Sequence, residues 1–107
     1  MFFDNQKYFD FLDACRAAGI TVPIIPGIKP IRNLSDFKLL PQVFKIDFPE
    51  ALTEALLNAK DDKAAMQIGT EWTIMQSKEL IARRVPAVHY YTIGKSDNIR
   101  EIAKQVF

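Results

Sequence analysis

The chain has 107 residues, 49% hydrophobic and 25% charged, with a formal net charge of +1. That is the composition of one small globular domain, and the near-neutral balance gives no reason to expect a nucleic-acid or membrane-surface partner. One Cys and one His exclude a disulfide framework and a metal site built from those residues within one chain. No apolar run approaches the roughly 20 residues of a membrane span and no signal peptide is recognisable, so a reduced, cytoplasmic setting is expected.

In chain order, Met1–Phe3 reads as the end of a strand entering a helix capped by Asp4 or Asn5. That helix is expected from about Asn5 to Ala18, with Tyr8, Phe11, Leu12 and Cys15 as its apolar stripe and Gly19 as its stop. Cys15 reads as a small core residue, not a reactive thiol. Val22–Ile25 is a short apolar run bounded by Pro and Gly, the pattern of a strand buried on both faces. It breaks into Pro26-Gly27, where Gly27 can take backbone angles closed to other residues and Pro26 and Pro30 stiffen the loop. Asn33 or Ser35 is the cap candidate for a short helix from Asn33 to Leu40, with a break or a new turn expected at Pro41. Phe44, Ile46 and Phe48 alternate with Lys45 and Asp47, but the flanking prolines favour an extended connection over a strand.

Pro49, at a first helical position, and Glu50 open a helix to about Asn58. Asp61 or Asp62 then caps a long helix to about Arg84. Its stripe is Ala65, Ile68, Trp72 and Met75, with Gly69 on the same side permitting close packing at a modest cost to the helix. Trp72 reads as core, and Arg83-Arg84 as a solvated end suited to the helix dipole. Ala87–Thr92 is a strand rich in β-branched and aromatic residues, Ile93-Gly94-Lys95 its exit loop, and Ser96 the cap of a last helix carrying Ile99, Ala103 and Val106 at about helical spacing. The order β, α, β, α, α, β, α is that of parallel barrel units with extra helix in the connections, an α/β class.

Chemistry is sparse. His89 has no Cys or paired carboxylate near it in sequence and reads as a hydrogen-bonded structural residue. The four glycines stand apart, so there is no phosphate loop, and no acid–base pair stands out. No catalytic residue and no metal ligand is assigned. The strand ends Phe3-Asp4, Pro26-Gly27-Ile28 and Thr92-Ile93-Gly94 would share one face if the strands are parallel. That face is apolar, with backbone exposed at Gly, and suits a flat aromatic ligand better than a phosphate. Taken alone, these segments are most simply ordinary loops.

Ile24-Ile25-Pro26-Gly27-Ile28, followed by Pro30-Ile31 and Asn33, resembles the methylenetetrahydrofolate reductase family, flavin enzymes of one-carbon metabolism. Two further stretches agree in order and spacing: Phe2-Phe3-Asp4 with Phe11 and Cys15-Arg16-Ala17-Ala18-Gly19-Ile20, and His89-Tyr90-Tyr91-Thr92-Ile93, which is similar to the family's last barrel strand. A closed (β/α)8 barrel takes about 250 residues. The resemblance therefore implies the C-terminal segment of a TIM barrel, parallel strands with surrounding helices, and residues 1–107 as one partial-barrel domain. The family's upstream strands carry its acidic catalytic residue and most flavin contacts, and the resemblance begins directly after its pterin-binding Gln. A shortened gene product or an excised fragment is expected.

For the parent enzyme the resemblance implies FAD on the strand-end face, NAD(P)H to reduce it, and hydride transfer to 5,10-methylenetetrahydrofolate, giving 5-methyltetrahydrofolate. It implies substrate contacts at Gly27 and Ile28, at Asp36 and Leu40, and at Ile93 and Lys95. Bacterial members carry Gln and Phe at the positions of Asp36 and Leu40, and the family usually reads Thr-Leu-Asn-Arg where this chain reads Thr92-Ile93-Gly94-Lys95. Leu40 can cover a ring without stacking on it, an ionised Asp36 accepts hydrogen bonds without donating, and Lys95 keeps charge but loses the planar fork of arginine. The segment alone is expected to be inactive, to bind no FAD tightly, and to self-associate or pair with the missing barrel half. The alternative is a non-catalytic partial-barrel module that oligomerises or docks on a partner chain.

Overall fold

Asp4 starts the first helix. Its side chain accepts the Gln6 N–H at 2.9 Å, and α1 runs Asn5–Ala17 in a computed structural model that describes residues 1–92 and 95–107. The helix stops in a Schellman arrangement: the Gly19 and Ile20 N–H groups reach the Arg16 and Cys15 carbonyls at 3.1 and 2.9 Å, with Gly19 at φ +84°. The remaining elements are β1 Gly27–Ile28, α2 Leu34–Phe44, α3 Glu50–Leu57, α4 Asp62–Ala82, β2 His89–Tyr90 and α5 Asp97–Val106. Asn33 caps α2 through the Asp36 N–H at 2.8 Å, and Asp61 caps α4 through the Ala64 N–H at 2.9 Å. Asp62 reaches across to accept the Leu34 N–H at 3.0 Å, tying the starts of α2 and α4 together.

β1 and β2 pair in parallel, Gly27 opposite His89 and Ile28 opposite Tyr90, so α2, α3 and α4 form the crossover between them. The class is α/β as expected, mostly helical, but the strands are shorter and displaced. Val22–Ile25 is not a strand: the paired carbonyls are those of Pro26 and Ile28, which accept from His89 and Tyr91, each at 2.9 Å. The run is not buried on both faces either, since Val22 and Ile25 are 59% and 54% exposed. Its carbonyls are claimed from α1 instead, Ile24 by the Tyr8 hydroxyl at 2.7 Å and Val22 by Arg16 at 2.9 Å. Met1–Phe3 is irregular for a similar reason. Trp72 donates to the Phe3 carbonyl at 2.9 Å and Gln76 more loosely to that of Phe2, so α4 takes the bonds a neighbouring strand would take. Of Ala87–Thr92 only His89–Tyr90 is strand, with the Tyr91 N–H adding the last bond to β1.

Pro41 sits inside α2 and does not end it. One amide bond is missing there, but Leu40, 4% exposed, is held in the core, and Phe37 packs edge-on against Phe48 at 5.5 Å. Phe44 still belongs to α2, Lys45 ends it in the left-handed region at φ 53°, and Ile46–Pro49 connects to α3 without helix or strand, with Pro49 at the α3 cap and not at its first helical position. Ser96 occupies the α5 cap position without a side-chain capping bond.

Two clusters make the core. Phe3, Ile31, Leu40, Leu52, Leu56 and Ala65 form one, with Trp72 packed against it as expected; Tyr8, Phe9, Ile28 and Leu80 form the other. Cys15 is buried. The helix faces differ from the apolar stripes in the sequence. In α1 it is Phe9 that is buried, while Phe11 is 58% exposed, because Phe9 packs under the Arg83 guanidinium, 4.1 Å from its ring. In α4 the buried residues are Ala65, Gly69, Thr73, Gln76, Ser77 and Leu80, and Met75 faces out. In α5 Asn98 and Ile102 are buried and Ala103 is exposed. No helix among the described residues is long and apolar enough to cross a membrane. Nor is there among them a group of three or more His, Cys, Asp or Glu placed to hold a metal ion.

Candidate functional site

The two faces of the β1–β2 pair are unlike. Side chains alternate along a strand, and Ile28 and Tyr90 turn towards the helices. Ile28 is fully buried against Tyr8, Phe9 and Leu80, and the Tyr90 hydroxyl lies 2.6 Å from Ser77 Oγ. Burial pushes the Tyr90 phenol above its ordinary pKa, and the Ser77 hydrogen bond pulls the other way. On the opposite face Gly27 is bare, and the Tyr91 ring lies over it. A Cβ at Gly27 would stand 2.9 Å from Tyr91 Cε2. The His89 imidazole meets Tyr91 edge-on at 4.6 Å, and His89, Ile25 and Tyr91 are all exposed. His89 is thus an exposed residue of this face, where the sequence suggested a hydrogen-bonded structural histidine.

The exit from β1 is a charged knot. Lys29, with a side chain only 6% exposed, lies 3.5 Å from Asp36 Oδ2, and the same oxygen accepts the Arg32 N–H at 3.0 Å. Arg32 brings a second cation to the loop, and its Nε and Nη1 are buried without a partner. The loop thus carries two cationic side chains and one carboxylate, of which only Lys29 pairs with Asp36, and the excess positive charge biases it towards anions.

Of the residues singled out from the sequence, Gly27 lines a cavity of about 310 Å3 with Ile24, Ile25, Pro26 and Phe11. Ile28 and Leu40 have side chains in the two cores, 0% and 4% exposed. Asp36 is engaged in the loop knot, and Lys95 is exposed. Ile93, with Gly94 of the same exit loop, lies outside the described residues. Gly27, Asp36 and the exposed Tyr91 thus belong to the β1–β2 end of the chain, whereas Ile28 and Leu40 pack away from it. Sequence reasoning missed Lys29 and Arg32. The available signal was a lysine set in an apolar run between Ile28 and Pro30, seven residues before an acid in the first turn of a helix.

A parallel β–α–β unit with a helix before and after it is the arrangement from which (β/α) proteins are assembled. The chain matches the family described as methylenetetrahydrofolate reductase over residues 1–107. It is 34% identical over 95 residues to methylenetetrahydrofolate reductase (NADH) 1 of Arabidopsis thaliana, covering 88% of this chain and 16% of the plant protein. It is 34% identical over 103 residues to 5,10-methylenetetrahydrofolate reductase of Buchnera aphidicola, covering 94% of this chain and 35% of that protein. The same-named protein of Escherichia coli is 29% identical over 97 residues, covering 90% of this chain and 33% of its own length. The chain belongs to the methylenetetrahydrofolate reductase family. It spans about a sixth of the plant relative and about a third of the bacterial ones.

Proposed function

We propose that this chain is the C-terminal part of a methylenetetrahydrofolate reductase barrel and works only when the rest of that barrel completes it. In the parent enzyme the reaction is reduction of 5,10-methylenetetrahydrofolate to 5-methyltetrahydrofolate by NAD(P)H through FAD, the flavin supplying the hydride chemistry. The observation that carries this reading is the family match along the whole chain. The geometry supports it: the β1–β2 pair has one face sealed by helices and one face bare, as a slice of a (β/α)8 wall would have. The bare face of Ile25, Gly27, His89 and Tyr91 is covered by the remaining barrel segments, which the bacterial relatives' additional length can supply.

Within such a barrel Gly27 keeps the strand surface flat beneath a ring, the Lys29–Asp36 pair fixes the loop that borders the ligand, and Lys95 offers a cation from the β2 side. Ile28 and Leu40 support the site from the core instead of touching ligand. These residues do not by themselves make a flavin pocket. Three of the six implied contacts are buried or bound internally, and an apolar strip with one glycine holds neither the rings nor the phosphates of FAD. The isolated chain is accordingly catalytically silent and loses FAD on desalting.

A chimera tests the reading. The corresponding third of the Escherichia coli relative is replaced by this chain, and flavin absorbance and NADH-dependent reduction of methylenetetrahydrofolate are measured. A yellow, active chimera is expected. A chimera that retains flavin but reduces no folate would refute a catalytic contribution and favour the non-catalytic module.

A further inference from the structure

A groove of about 360 Å3 opens between the start of α1, Pro49 and the middle of α4, and it shares no lining residue with β1, β2 or the loop between β1 and α2. Its floor holds a linked pair of amides. Asn5 Nδ2 donates to the Gln76 main-chain oxygen and to Glu79 Oε1, both at 3.1 Å. Gln76 Nε2 donates to Asn5 Oδ1 at 3.0 Å and to the Phe2 carbonyl at 3.5 Å. With two oxygens facing its nitrogen, the Gln76 amide has one sensible orientation. That orientation leaves Gln76 Oε1 buried with no hydrogen-bond donor, on a residue only 2% exposed. A buried acceptor without a donor is costly and uncommon in native proteins, and it calls for a partner.

The rest of the groove is short of donors too. Asp4 spends Oδ1 on the Gln6 N–H at 2.9 Å and Glu79 spends Oε1 on Asn5, which leaves the second oxygen of each carboxylate. The Gln6 side-chain amide is turned to Asp10 at 2.8 Å, and the Trp72 indole N–H is used on the Phe3 carbonyl. Trp72, Met75 and Phe3 give the groove apolar walls, and no lysine or arginine lines it. The complement to such a site is a planar, weakly hydrated cation with several N–H donors that can lie on an aromatic face. A guanidinium has those properties; a compact, strongly hydrated ammonium does not.

We propose that this groove binds a guanidinium group, with Asp4 and Glu79 pairing its charge, Trp72 and Met75 flanking its plane, and Gln76 Oε1 accepting one of its N–H bonds. The group comes either from a small free guanidine or from an arginine side chain of another polypeptide segment.

Trp72 is the chain's sole tryptophan, so its fluorescence reports on the groove directly. The 107-residue chain is titrated at constant ionic strength with ethylguanidinium, with propylammonium of equal charge, and with a capped Gly-Arg-Gly peptide, all far below denaturing concentrations. A saturable change with ethylguanidinium, at least tenfold weaker with propylammonium, is expected. Asp4→Asn keeps a capping side chain and Glu79→Gln keeps the acceptor for Asn5, so both remove charge without removing the local bonds. Each should weaken binding roughly tenfold or more, the scale of one charge-assisted hydrogen bond. Gln76→Met should weaken it as well, with circular dichroism confirming the helices. Peptide binding tenfold tighter than ethylguanidinium assigns an arginine side chain as the source, and equal or weaker binding assigns a free guanidine. Equal response to both cations, no saturable response, or unchanged binding in the Asp4→Asn/Glu79→Gln double variant would overturn the proposal.

Discussion

Replacing Gly69 with alanine should destabilise the protein, although residue-level reasoning says the opposite. Alanine is the better helix former by about 1 kcal/mol, and glycine's extra freedom in the unfolded chain adds to that advantage. In the structure, however, a Cβ at Gly69 would fall inside contact distance of the Ile31 carbonyl oxygen, 2.8 Å from Ile31 Cβ and 2.9 Å from its carbonyl carbon. These atoms cannot swing aside. Ile31 is 1% exposed and follows Pro30 in the exit from β1, and α4 presses on it through Gly69 and Ala65, both buried. The helix must retreat, or the loop must move with its Lys29–Asp36 knot. Overpacking of this kind costs typically 1–3 kcal/mol, and contact with main chain puts this case at the upper end. Set against a propensity gain of about 1 kcal/mol, a net loss of about 1–2 kcal/mol is expected. Urea unfolding followed by circular dichroism measures it as a lower midpoint at unchanged slope. A midpoint equal to or above that of the parent would refute the close approach of α4 to the β1 exit.

Gly27→Ala is the matched control: its Cβ would meet only the ring of Tyr91, 38% exposed and free to rotate, so a cost under about 1 kcal/mol is expected in the same assay. Arg84 occupies the left-handed region at φ 60°, just past the end of α4, where its N–H reaches the Ile81 carbonyl at 2.9 Å. Arg84→Gly should raise the urea midpoint by the equivalent of about 1 kcal/mol. Burial raises the phenol pKa of Tyr90, and also that of Tyr8, where the nearby Arg16 charge partly offsets it. A raised folded-state pKa means that the folded chain holds the proton more tightly, so this stabilisation is complete below the ordinary tyrosine pKa and is lost as pH rises from about 10 through the folded values. Tyr90→Phe should flatten that alkaline loss in thermal melts taken across the range. Finally, Ile25 and Phe11, which border the cavity at Gly27, are each more than half exposed, and so is Val22. The isolated chain should therefore self-associate in light scattering at micromolar concentration, and a dilution-independent monomer would count against the open-barrel reading.

Much of the helical architecture is legible in the sequence because it is written in local chemistry. Asp4, Asn33 and Asp61 each cap the helix that follows them, and Gly19 ends α1 in the left-handed conformation that glycine alone adopts cheaply. The strand positions are less legible. Val22–Ile25 has the composition of a buried strand, but pairing depends on where β2 arrives more than sixty residues later, and it arrives at Gly27. The buried face of α4 is illegible for another reason. Its contacts use Thr73, Gln76 and Ser77 beside Ala65 and Gly69, so a search for apolar periodicity selects Met75 and misses the three polar residues. Gly69 is legible as a close-packing position, but the neighbour that excludes a side chain there, Ile31, is distant in sequence. At the candidate site, the Pro-Gly signature marks the segment that pairs with β2 but not which of its side chains turn outward. Whether Ile28 faces ligand or core depends on the one-residue placement of β1, because adjacent strand residues point to opposite faces.

On the partial-barrel reading proposed above, that alternation also explains how the chain can be well packed and still lack a complete site. On the helix side of the β1–β2 pair, Ile28 and Tyr90 find their partners in α1 and α4, which flank the two strands in the chain itself. This half of the core closes with sequence neighbours and asks nothing of distant strands. On the other side, Ile25, Gly27, His89 and Tyr91 face the space that the opposite wall of the proposed barrel would fill; Phe11 of α1 borders that space beside Gly27 but is itself 58% exposed and does not close it. Ligand sites in parallel α/β proteins are built at strand ends from several different strands. In the proposed barrel, two short strands would therefore carry the packing half of the design whole and the binding half in part. The Lys29–Asp36 knot sits at the boundary between the halves: it is satisfied from within the chain, yet it sets the charge of the loop that borders the unfinished face. Substitutions on the helix side should accordingly register in the stability of this chain alone, whereas those at Gly27, Asp36 or Tyr91 should register in function once the barrel is completed.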